Sequence, residues 1–422
     1  MKLSILLTSG LAAVASAIAI GDRPANRKSY SGYKVFRVDV ENEAVAERLN
    51  KVIDTLGLST WKARPRAGYT ADIVVPPTAL LQFESEVADL KTMTMHEDLE
   101  KSIEEESAFG IYAAGTANET WFNSYHAYND HLQFLRDLQS SYPDRSAIVT
   151  AGNSNGGRAI TGIHFWGDSG KGKPAVVFHG TVHAREWITT MVVEYFAYYM
   201  LTNSNTTEMK SFLNKYDFYF FPIRLGFVYT QTNDRLWRKN RQTNSGSSCV
   251  GRDINRNWPY QWSVSGGAST NPCAEDYKGA KQSDAPETTA LAAWLTNIKS
   301  SQGIKLYIDW HSYSQLFMTP YGYSCTARAS NNAELQSLAS GAAAAIKAVY
   351  GTSFNTGPIC STIYKATGNS VDYVKDVIGA TYVFTAELRD KGNYGFLLPA
   401  NQIKPSGVEA WAGVRYLLLN MK

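Results

Sequence analysis

Long helical stretches alternate with short apolar stretches along most of this chain, from Tyr128 to its carboxyl end. Apolar residues at helical spacing predict long helices over 128–141, 185–201, 331–349 and 402–419. The apolar runs between them predict strands at 147–152, 160–166, 175–178, 218–222, 305–310 and 381–387. Strands that alternate with crossover helices form a largely parallel sheet, because each parallel pair needs a long connection that covers a sheet face. The sequence therefore predicts an α/β unit with a mixed, largely parallel central sheet and helices on both faces.

The amino-terminal quarter of the chain has a different pattern. Strands are predicted at 33–40 and 70–75, and helices at 43–56 and 78–90. Two helices and two strands with no long alternation are typical of a small α+β unit that precedes the larger one.

The boundary between the two units is expected near residue 112. An acidic stretch from Glu97 to Glu106 ends the small unit, and the small, breaker-rich residues 113–118 read as a linker. Residues 18–112 hold 12 basic and 16 acidic side chains, whereas residues 113–422 hold 28 and 22. Opposite net charges weakly favour docking of the two units.

The first 17 residues have the pattern of a secretory signal peptide. Lys2 precedes an apolar run, and Ala15-Ser16-Ala17 forms a small-residue cleavage site. The alternative, a buried helix, does not account for the small-residue ending. No later run approaches the length of a membrane span. We therefore expect a secreted, extracellular protein.

The four cysteines lie in the carboxyl-terminal half of the chain, and they are Cys249, Cys273, Cys325 and Cys360. An exported chain meets an oxidising environment, so two disulfides are expected, although four cysteines permit three pairings. Asn118-Glu119-Thr120 and Asn205-Thr206-Thr207 match the acceptor pattern for glycosylation, a short motif that also arises by chance.

The charge distribution narrows the class of partner. The formal net charge of +3 is spread along the chain rather than gathered into basic blocks. Neither a nucleic acid nor an anionic membrane is therefore expected, and a peptide partner is favoured.

A histidine and a glutamate follow the strand predicted at 175–178. In HGTVHAREWIT (179–189), His183 and Glu186 lie three residues apart, just before a helix. Zinc binds imidazole nitrogen and carboxylate oxygen, and a catalytic site keeps one position open for water. This spacing alone arises by chance in roughly a third of chains of this composition, and a carboxylate that caps a helix start is the plain alternative.

A second histidine strengthens the metal hypothesis. His311 ends the apolar strand in KLYIDWHSYSQ (305–315), so two strand ends can converge on one ion. The sequence predicts His164 and His179 as core or edge groups of the sheet. The remaining three histidines are predicted to be surface residues, and they are His96, His126 and His131.

Polar clusters follow in NDRLWRKNR (233–241) and CVGRDINRNWP (249–259), and their plain alternative is a solvated basic loop. Arginine presents a planar fork of donors that suits a carboxylate or a developing oxyanion. Glu387 ends the apolar strand in TYVFTAEL (381–388), where a carboxylate is costly to bury unless it serves a site.

Taken together, these motifs resemble the zinc carboxypeptidases of the pancreatic carboxypeptidase A family, from about residue 120 to the end. The resemblance implies one zinc ion held by His183, Glu186 and His311, with the fourth position left to water. It also places Asp253 behind His183, as the carboxylate that orients the ring.

The family's substrate-binding pattern maps onto three further residues. The resemblance implies that Asn255 and Arg256 grip the free α-carboxylate of the substrate and that Tyr364, in STIYKATG, closes over it. A buried arginine fork rejects an internal peptide bond, because a neutral amide leaves the charge unpaired. Arg238 is implied to stabilise the oxyanion, and Glu387 to act as the general base that moves a proton to the leaving amine.

The small unit resembles the family's inhibitory pro-segment, an open sandwich over the active-site cleft. The resemblance therefore implies a zymogen that an activating protease converts, with disulfides Cys249–Cys273 and Cys325–Cys360. The chain departs from the family at 221–227, where it reads FPIRLGF in place of an Asn-x-Asp-Gly turn and is about two residues shorter.

Specificity is implied by the residue at the floor of the side-chain pocket, where the family has either an apolar residue or an aspartate. This chain has Val371 there, with Met318, Ile359 and Ala366 as implied pocket walls, so peptides ending in large apolar residues are expected as substrates. If the match between this segment and the family pattern were shifted by one residue, Asp372 would lie in the pocket instead of Val371.

Two other classes of function have less support in the sequence. A non-catalytic peptide-binding module on the same scaffold would be favoured by loss of a metal ligand or of the base, and neither is lost. A serine hydrolase is not supported, because the G-x-S-x-G match GNSNG (152–156) lies between two predicted strands and not in the strand-to-helix turn of a nucleophile elbow.

Overall fold

A computed structural model describes residues 27–62, 64–223 and 226–422. The predicted signal peptide at 1–17, and Arg224 and Leu225 in the segment that departs from the family, lie outside the described residues. The strands form two separate sheets, one of four strands and one of eight.

The small sheet is antiparallel, with strand order β2-β3-β1-β4. Its strands are β1 (Lys34–Val40), β2 (Ser59–Thr60), β3 (Tyr69–Val75) and β4 (Thr92–His96). Its helices are α1 (Glu43–Leu56), α2 (Leu80–Glu86) and α3 (Leu99–Glu106). Asn42 caps α1 by accepting from the amide of Val45, and Gly57 ends it at a φ of 62°.

Two predictions for the small unit were incomplete. The second helix is shorter than 78–90, because a 3₁₀ turn precedes it and α2 ends at Glu86. The acidic stretch 97–106 contains α3, in which Leu99, Ile103, Glu100 and Glu106 are buried while Glu104 and Glu105 face solvent. This one-sided pattern is that of an amphipathic helix.

The large sheet has strand order β11-β10-β12-β9-β7-β8-β6-β5. Its strands are β5 (Ser146–Asn153), β6 (Ala159–Phe165), β7 (Ala175–His179), β8 (Asp217–Phe221), β9 (Ile304–His311), β10 (Leu316–Thr319), β11 (Asn355–Pro358) and β12 (Tyr382–Glu387). The central strands β8, β7, β9 and β12 pair in parallel, and antiparallel pairs lie towards both edges. The predicted mixed, largely parallel sheet is confirmed.

Helices cover both faces of the large sheet. They are α4 (Tyr128–Ser141), α5 (Trp187–Thr202), α6 (Thr207–Lys215), α7 (Gly226–Thr232), α8 (Pro286–Gln302), α9 (Asn332–Tyr350), α10 (Ile359–Thr362), α11 (Ser370–Tyr373) and α12 (Ile403–Asn420). Neighbouring residues of β7 point to opposite faces, so Phe178 joins one apolar core and Val177 the other. None of the helices in the described part of the chain has the length and apolar character to cross a membrane.

Three histidines predicted at the surface are buried, which corrects that prediction. His96 contacts the hydroxyl of Ser102 and the carbonyl of Tyr394. His126 stacks on the ring of Trp121, and His131 bonds to Glu194 in α5. Their partners lie in other elements, so the local sequence carries no sign of this burial. His164 and His179 are buried as expected.

Candidate active site

The carboxyl ends of neighbouring strands β7, β9 and β12 meet at one edge of the large sheet. β9 ends at His311 and β12 at Glu387, and these two residues stand opposite each other in the sheet register. The turn after β7 carries His183 and Glu186 to the same edge, immediately before α5. The strand-end positions expected from the sequence therefore converge.

A buried threonine fixes the turn after β7. Thr181 has a φ of 53°, a region that non-glycine residues rarely adopt. Its amide donates to the hydroxyl of Thr189, and its own hydroxyl donates to the carbonyl of Pro222. These bonds tie the turn to α5 and to the end of β8, so the side chain of His183 has a rigid support.

Three donor atoms of the histidines and the glutamate converge on one point. Nδ1 of His183 lies 2.8 Å from Oε1 of Glu186, and Nδ1 of His311 lies 3.2 Å from both Nδ1 of His183 and Oε2 of Glu186. At this distance the two ring nitrogens either share one proton or direct both lone pairs at a common cation. All three residues are buried, and two imidazoles with one carboxylate are the donor set of a catalytic zinc site. The residues fit the metal.

The charge state of Glu186 suits a metal ligand. Burial raises the pKa of this carboxyl, but the neighbouring rings of His183 and His311 outweigh burial and lower the pKa to about 2. The side chain is therefore a carboxylate at neutral pH.

Each histidine has a buried carboxylate behind it. Nε2 of His183 lies 3.1 Å from Oδ1 of Asp253, whose Oδ2 accepts a hydrogen bond of 2.8 Å from Nη2 of Arg238. Nε2 of His311 lies 3.2 Å from Oδ2 of Asp309. The sequence reading singled out Asp253 but missed Asp309. The signal it overlooked is the alternation of a strand, which places residues 309 and 311 on the same face.

Glu387 lies at the end of β12 and borders the cavity in front of the donor atoms. Desolvation raises the pKa of its carboxyl to about 8, with the carboxylate of Glu186 adding to the rise and the ring of His311 opposing it. A carboxyl with such a pKa holds a proton more readily than an exposed glutamate does.

Four residues with implied substrate roles border the same cavity or lie directly behind it. Arg238, Arg256 and Tyr364 line this cavity of about 800 Å³, and Asn255 contacts Nε2 of His311. Arg256 is buried, and its guanidinium lies 5.7 Å from the ring centre of Tyr364. Arg256 forms no ion pair with any other described residue, and its Nε has no hydrogen-bond partner among them. Its Nη1 donates to the carbonyl of Asn255, and Asp253 acts on it only through space, so a bound anion would be its direct ion-pair partner.

The implied pocket residues are apolar and buried, and none of the four borders the cavity in front of the zinc donors. Val371, in α11, packs in one core cluster with Met318 and Ile359, and Ala366 is also buried. Asp372 faces elsewhere, because its carboxyl accepts from the amides of residues 322 and 323 and from the side chain of Asn369. Burial raises the pKa of Asp372 to about 7 despite these bonds.

Both disulfides are formed with the implied pairing. Cys249 bonds to Cys273 and Cys325 bonds to Cys360. The first cross-links the segment that carries Asp253, and the second joins the chain after β10 to α10.

The small unit covers the cavity. Trp61 and Lys62 line it together with Glu387. The carbonyl of Trp61 accepts a hydrogen bond of 3.0 Å from Arg185, and its ring packs against those of Tyr313 and Phe396. Further along the chain, Glu106 forms a buried ion pair of 2.6 Å with Arg235.

Comparisons with known proteins agree with this arrangement. Residues 131–413 match the model of the zinc carboxypeptidase family, and residues 36–106 match that of the carboxypeptidase activation peptide. The chain is 50% identical to a metallocarboxypeptidase A-like protein of Trichophyton verrucosum (strain HKI 0517), over 99% of this chain and 100% of the relative. It is 35% identical to carboxypeptidase A4 of Mus musculus, over 96% and 97%.

Among solved structures, thrombin activatable fibrinolysis inhibitor superposes with a TM-score of 0.85 and 28% identity, over 92% of this chain and 98% of that one. The fold, the donor set and both family matches lead to one conclusion. The chain belongs to the zinc carboxypeptidase family: it is a zinc metallopeptidase of the carboxypeptidase A type, made as a zymogen with an activation peptide.

Proposed function

We propose that this chain is the precursor of a secreted exopeptidase that removes residues one at a time from peptide carboxyl termini and prefers large apolar residues there. The observation that carries the proposal is Arg256, a buried arginine without an ion-pair partner among the described residues, in the same cavity as the zinc donors. A free carboxylate is the group that this arginine lacks.

His183 and His311, each through Nδ1, and the carboxylate of Glu186 would hold the zinc ion. Zinc in such a site lowers the pKa of a water molecule and polarises a carbonyl oxygen. Asp253 would keep the ring of His183 in the tautomer that leaves Nδ1 free of a proton, because Nε2 then donates to the carboxylate.

Glu387 would be the general base. Its carboxylate accepts one proton from the attacking water molecule, and the carboxyl then donates that proton to the nitrogen of the leaving amino acid as the peptide bond breaks. Burial, which raises the pKa of Glu387, favours return of the proton in the second step. Arg238 would stabilise the oxyanion on the scissile carbonyl carbon, and its bond to Asp253 fixes its direction.

Recognition of a free carboxyl terminus would involve three residues. Arg256 offers its guanidinium fork to the α-carboxylate, Asn255 offers its side-chain amide, and Tyr364 closes over the bound group. A peptide that continues beyond the scissile bond has no charge there, so the cation would stay unpaired and binding would be weak.

The proposed preference for large apolar residues rests on the apolar character of the residues that the resemblance implies for the pocket. Val371 would form its floor, with Met318, Ile359 and Ala366 in its walls, and none of these carries a charge. A lysine or arginine side chain would lose its hydration without gaining a partner. Asp372 is no substitute partner, since its oxygens accept bonds from residues 322, 323 and 369.

We propose three regions: a signal peptide at 1–17, an inhibitory pro-segment at 18–112, and a catalytic domain at 113–422. Secretion agrees with the two disulfides. Asn118 and Asn205 are exposed, as glycosylation acceptors must be.

Release of the pro-segment would need an activating protease. Lys101 lies within α3, where a protease cannot bind an extended chain, whereas residues 107–118 are irregular and mostly exposed. Ile111 in this stretch is fully exposed. A cut near Ile111 by a protease that does not require a basic residue is therefore favoured over a cut after Lys101.

The test is a peptide digest. The purified protein, after removal of the pro-segment, is incubated with a peptide and with its carboxyl-amidated form, and the products are followed by mass spectrometry. We expect stepwise loss from the free carboxyl end only, abolished by a zinc chelator and restored by zinc. Internal cleavage, or release that continues without zinc, would refute the proposal.

A further inference from the structure

A second buried carboxylate lies beside the zinc donors, on the strand that carries His311. Side chains alternate along β9, so Tyr307, Asp309 and His311 share one face, while Trp310 joins the core on the other face. Asp309 is fully buried, and its Oδ2 lies 3.2 Å from Nε2 of His311.

Asp309 belongs to a closed cycle of contacts between four residues. Its Oδ2 accepts a 2.5 Å hydrogen bond from the hydroxyl of Ser370, the first residue of α11. The amide of Ser370 donates to Oδ1 of Asn255, and Nδ2 of Asn255 lies 3.2 Å from Nε2 of His311. Ser370 thus connects this cycle to α11, which carries Val371. Asn255 connects it to the residues implied to bind the substrate's α-carboxylate.

The position of the proton on His311 decides which neighbouring residue is its hydrogen-bond partner. An imidazole that offers Nδ1 to a metal carries its proton on Nε2, and that N–H needs an acceptor. Asn255 cannot accept it, because its oxygen already accepts from the amide of Ser370, and the atom nearest to His311 is its NH₂ nitrogen, which is not an acceptor. The acceptor is therefore Asp309.

We propose that Asp309 is a positioning residue that holds His311 in the tautomer and the orientation that zinc binding requires, as Asp253 does for His183. The inference rests on the proposed ligand set. Asp309 touches neither the substrate nor the metal, and it acts only through His311. Because Asp309 also accepts a hydrogen bond from Ser370, it fixes the position of α11 relative to His311.

The experiment measures the zinc dissociation constant of the full-length chain by competition with a chelator, together with the visible absorption spectrum of the cobalt-substituted chain. The variants are Asp309→Ala and Asp309→Asn. A matched control is Asp217→Ala, which removes an equally buried aspartate that accepts from Nε2 of His164 at 3.1 Å, at the opposite end of the sheet. His311→Ala tests the ligand assignment itself.

We expect Asp309→Ala to weaken zinc binding by about 10- to 100-fold, the usual effect of losing a carboxylate behind a metal-binding histidine. Asp309→Asn keeps an acceptor oxygen, so its loss should be smaller, and its cobalt spectrum should still shift. Asp217→Ala should lower the unfolding temperature and leave zinc affinity and spectrum unchanged.

Equal zinc affinity and an unshifted cobalt spectrum in the Asp309 variants overturn the inference. If Asp309→Ala does not fold, these two readouts on Asp309→Asn decide alone. If His311→Ala also keeps its zinc, the ligand assignment fails; if only the Asp309 variants are unchanged, the positioning role fails and the proposed function stands.

Discussion

The hydroxyl of Tyr313, which borders the active-site cavity, donates a hydrogen bond to Oδ2 of Asp72 in strand β3 of the small unit. Asp72 is fully buried, and it also forms an ion pair of 2.6 Å with Arg37 and one of 3.6 Å with Lys62. The cations lower the pKa of Asp72, although burial opposes them, so a buried carboxylate of the pro-segment faces the catalytic unit. This contact joins the two units directly beside the site.

Weakening the contact between the pro-segment and the catalytic unit should give the uncleaved precursor measurable peptidase activity. Trp61 lies in this interface, where its ring contacts Tyr313 and Phe396. Loss of a buried aromatic anchor typically costs about 2 kcal/mol or more of binding free energy. We therefore expect Trp61→Ala to raise the ratio of precursor to mature activity at least about tenfold. Leu81→Ala, at a side chain that is 86% exposed on α2 of the same unit, is the control and should change nothing. An equal ratio in both variants would contradict the inhibitory contact.

Arg256→Ala should separate substrate recognition from metal binding. Without the buried guanidinium, the α-carboxylate of a peptide loses its charge partner, so kcat/KM for free peptides should fall by about two to three orders of magnitude. Zinc content, measured by atomic absorption, should stay at one ion per chain. The comparison of free and carboxyl-amidated peptides is decisive: a variant that still strongly prefers the free form rules out this role for Arg256.

Val371→Asp should redirect specificity towards basic residues. A carboxylate at the pocket floor can pair with lysine or arginine, whereas valine leaves such a charge unpaired. We expect the unaltered enzyme to release Phe and Leu faster than Lys and Arg, and the variant to reverse that order. Val371→Asn introduces a side chain with the shape of aspartate but without its charge. This variant should lose activity on peptides that end in Phe or Leu without gaining activity on peptides that end in Lys or Arg. If the unaltered enzyme prefers Lys or Arg, the pocket assignment is wrong.

Acid should destabilise the catalytic unit through His126. Burial lowers the pKa of this ring to about 4, below the unfolded value near 6.5. As the pH falls from about 6.5 to about 4, His126 becomes protonated in the unfolded chain but stays neutral in the folded chain. The free energy of unfolding therefore falls across that window, by up to about 3 kcal/mol. His126→Phe keeps an aromatic ring against Trp121 and removes the titration. Urea unfolding at pH 7 and pH 4.5 should show a smaller loss in the variant, and an equal loss would contradict the prediction.

Four candidate site residues could be located from the sequence, because the carboxyl ends of parallel strands collect at one sheet edge. His183, Glu186, His311 and Glu387 each follow or end an apolar strand that a short window identifies. Asp309 escaped notice, since one acidic residue inside an apolar run does not show which histidine it faces. Only the register and face of β9 supply that relation.

The missed strands depend on distant partners, whereas α8, a helix of 17 residues, was missed although its hydrogen bonds are local. β10 and β11 are four residues each and lie at the sheet edge, too short for a reliable apolar pattern. β4 lies beside β1, more than 50 residues away in the chain. Likewise, the burial of His131 depends on Glu194, which arrives with α5.

The central claim is that Glu387 moves the proton in a zinc-dependent hydrolysis, and Glu387→Gln tests it most directly. Glutamine preserves shape and hydrogen bonding but cannot accept the proton. We predict that the activated variant keeps one zinc ion per chain and normal affinity for a non-hydrolysable peptide, while kcat falls by at least about 10²- to 10⁴-fold. A variant with zinc bound and kcat close to that of the unaltered enzyme would contradict the account.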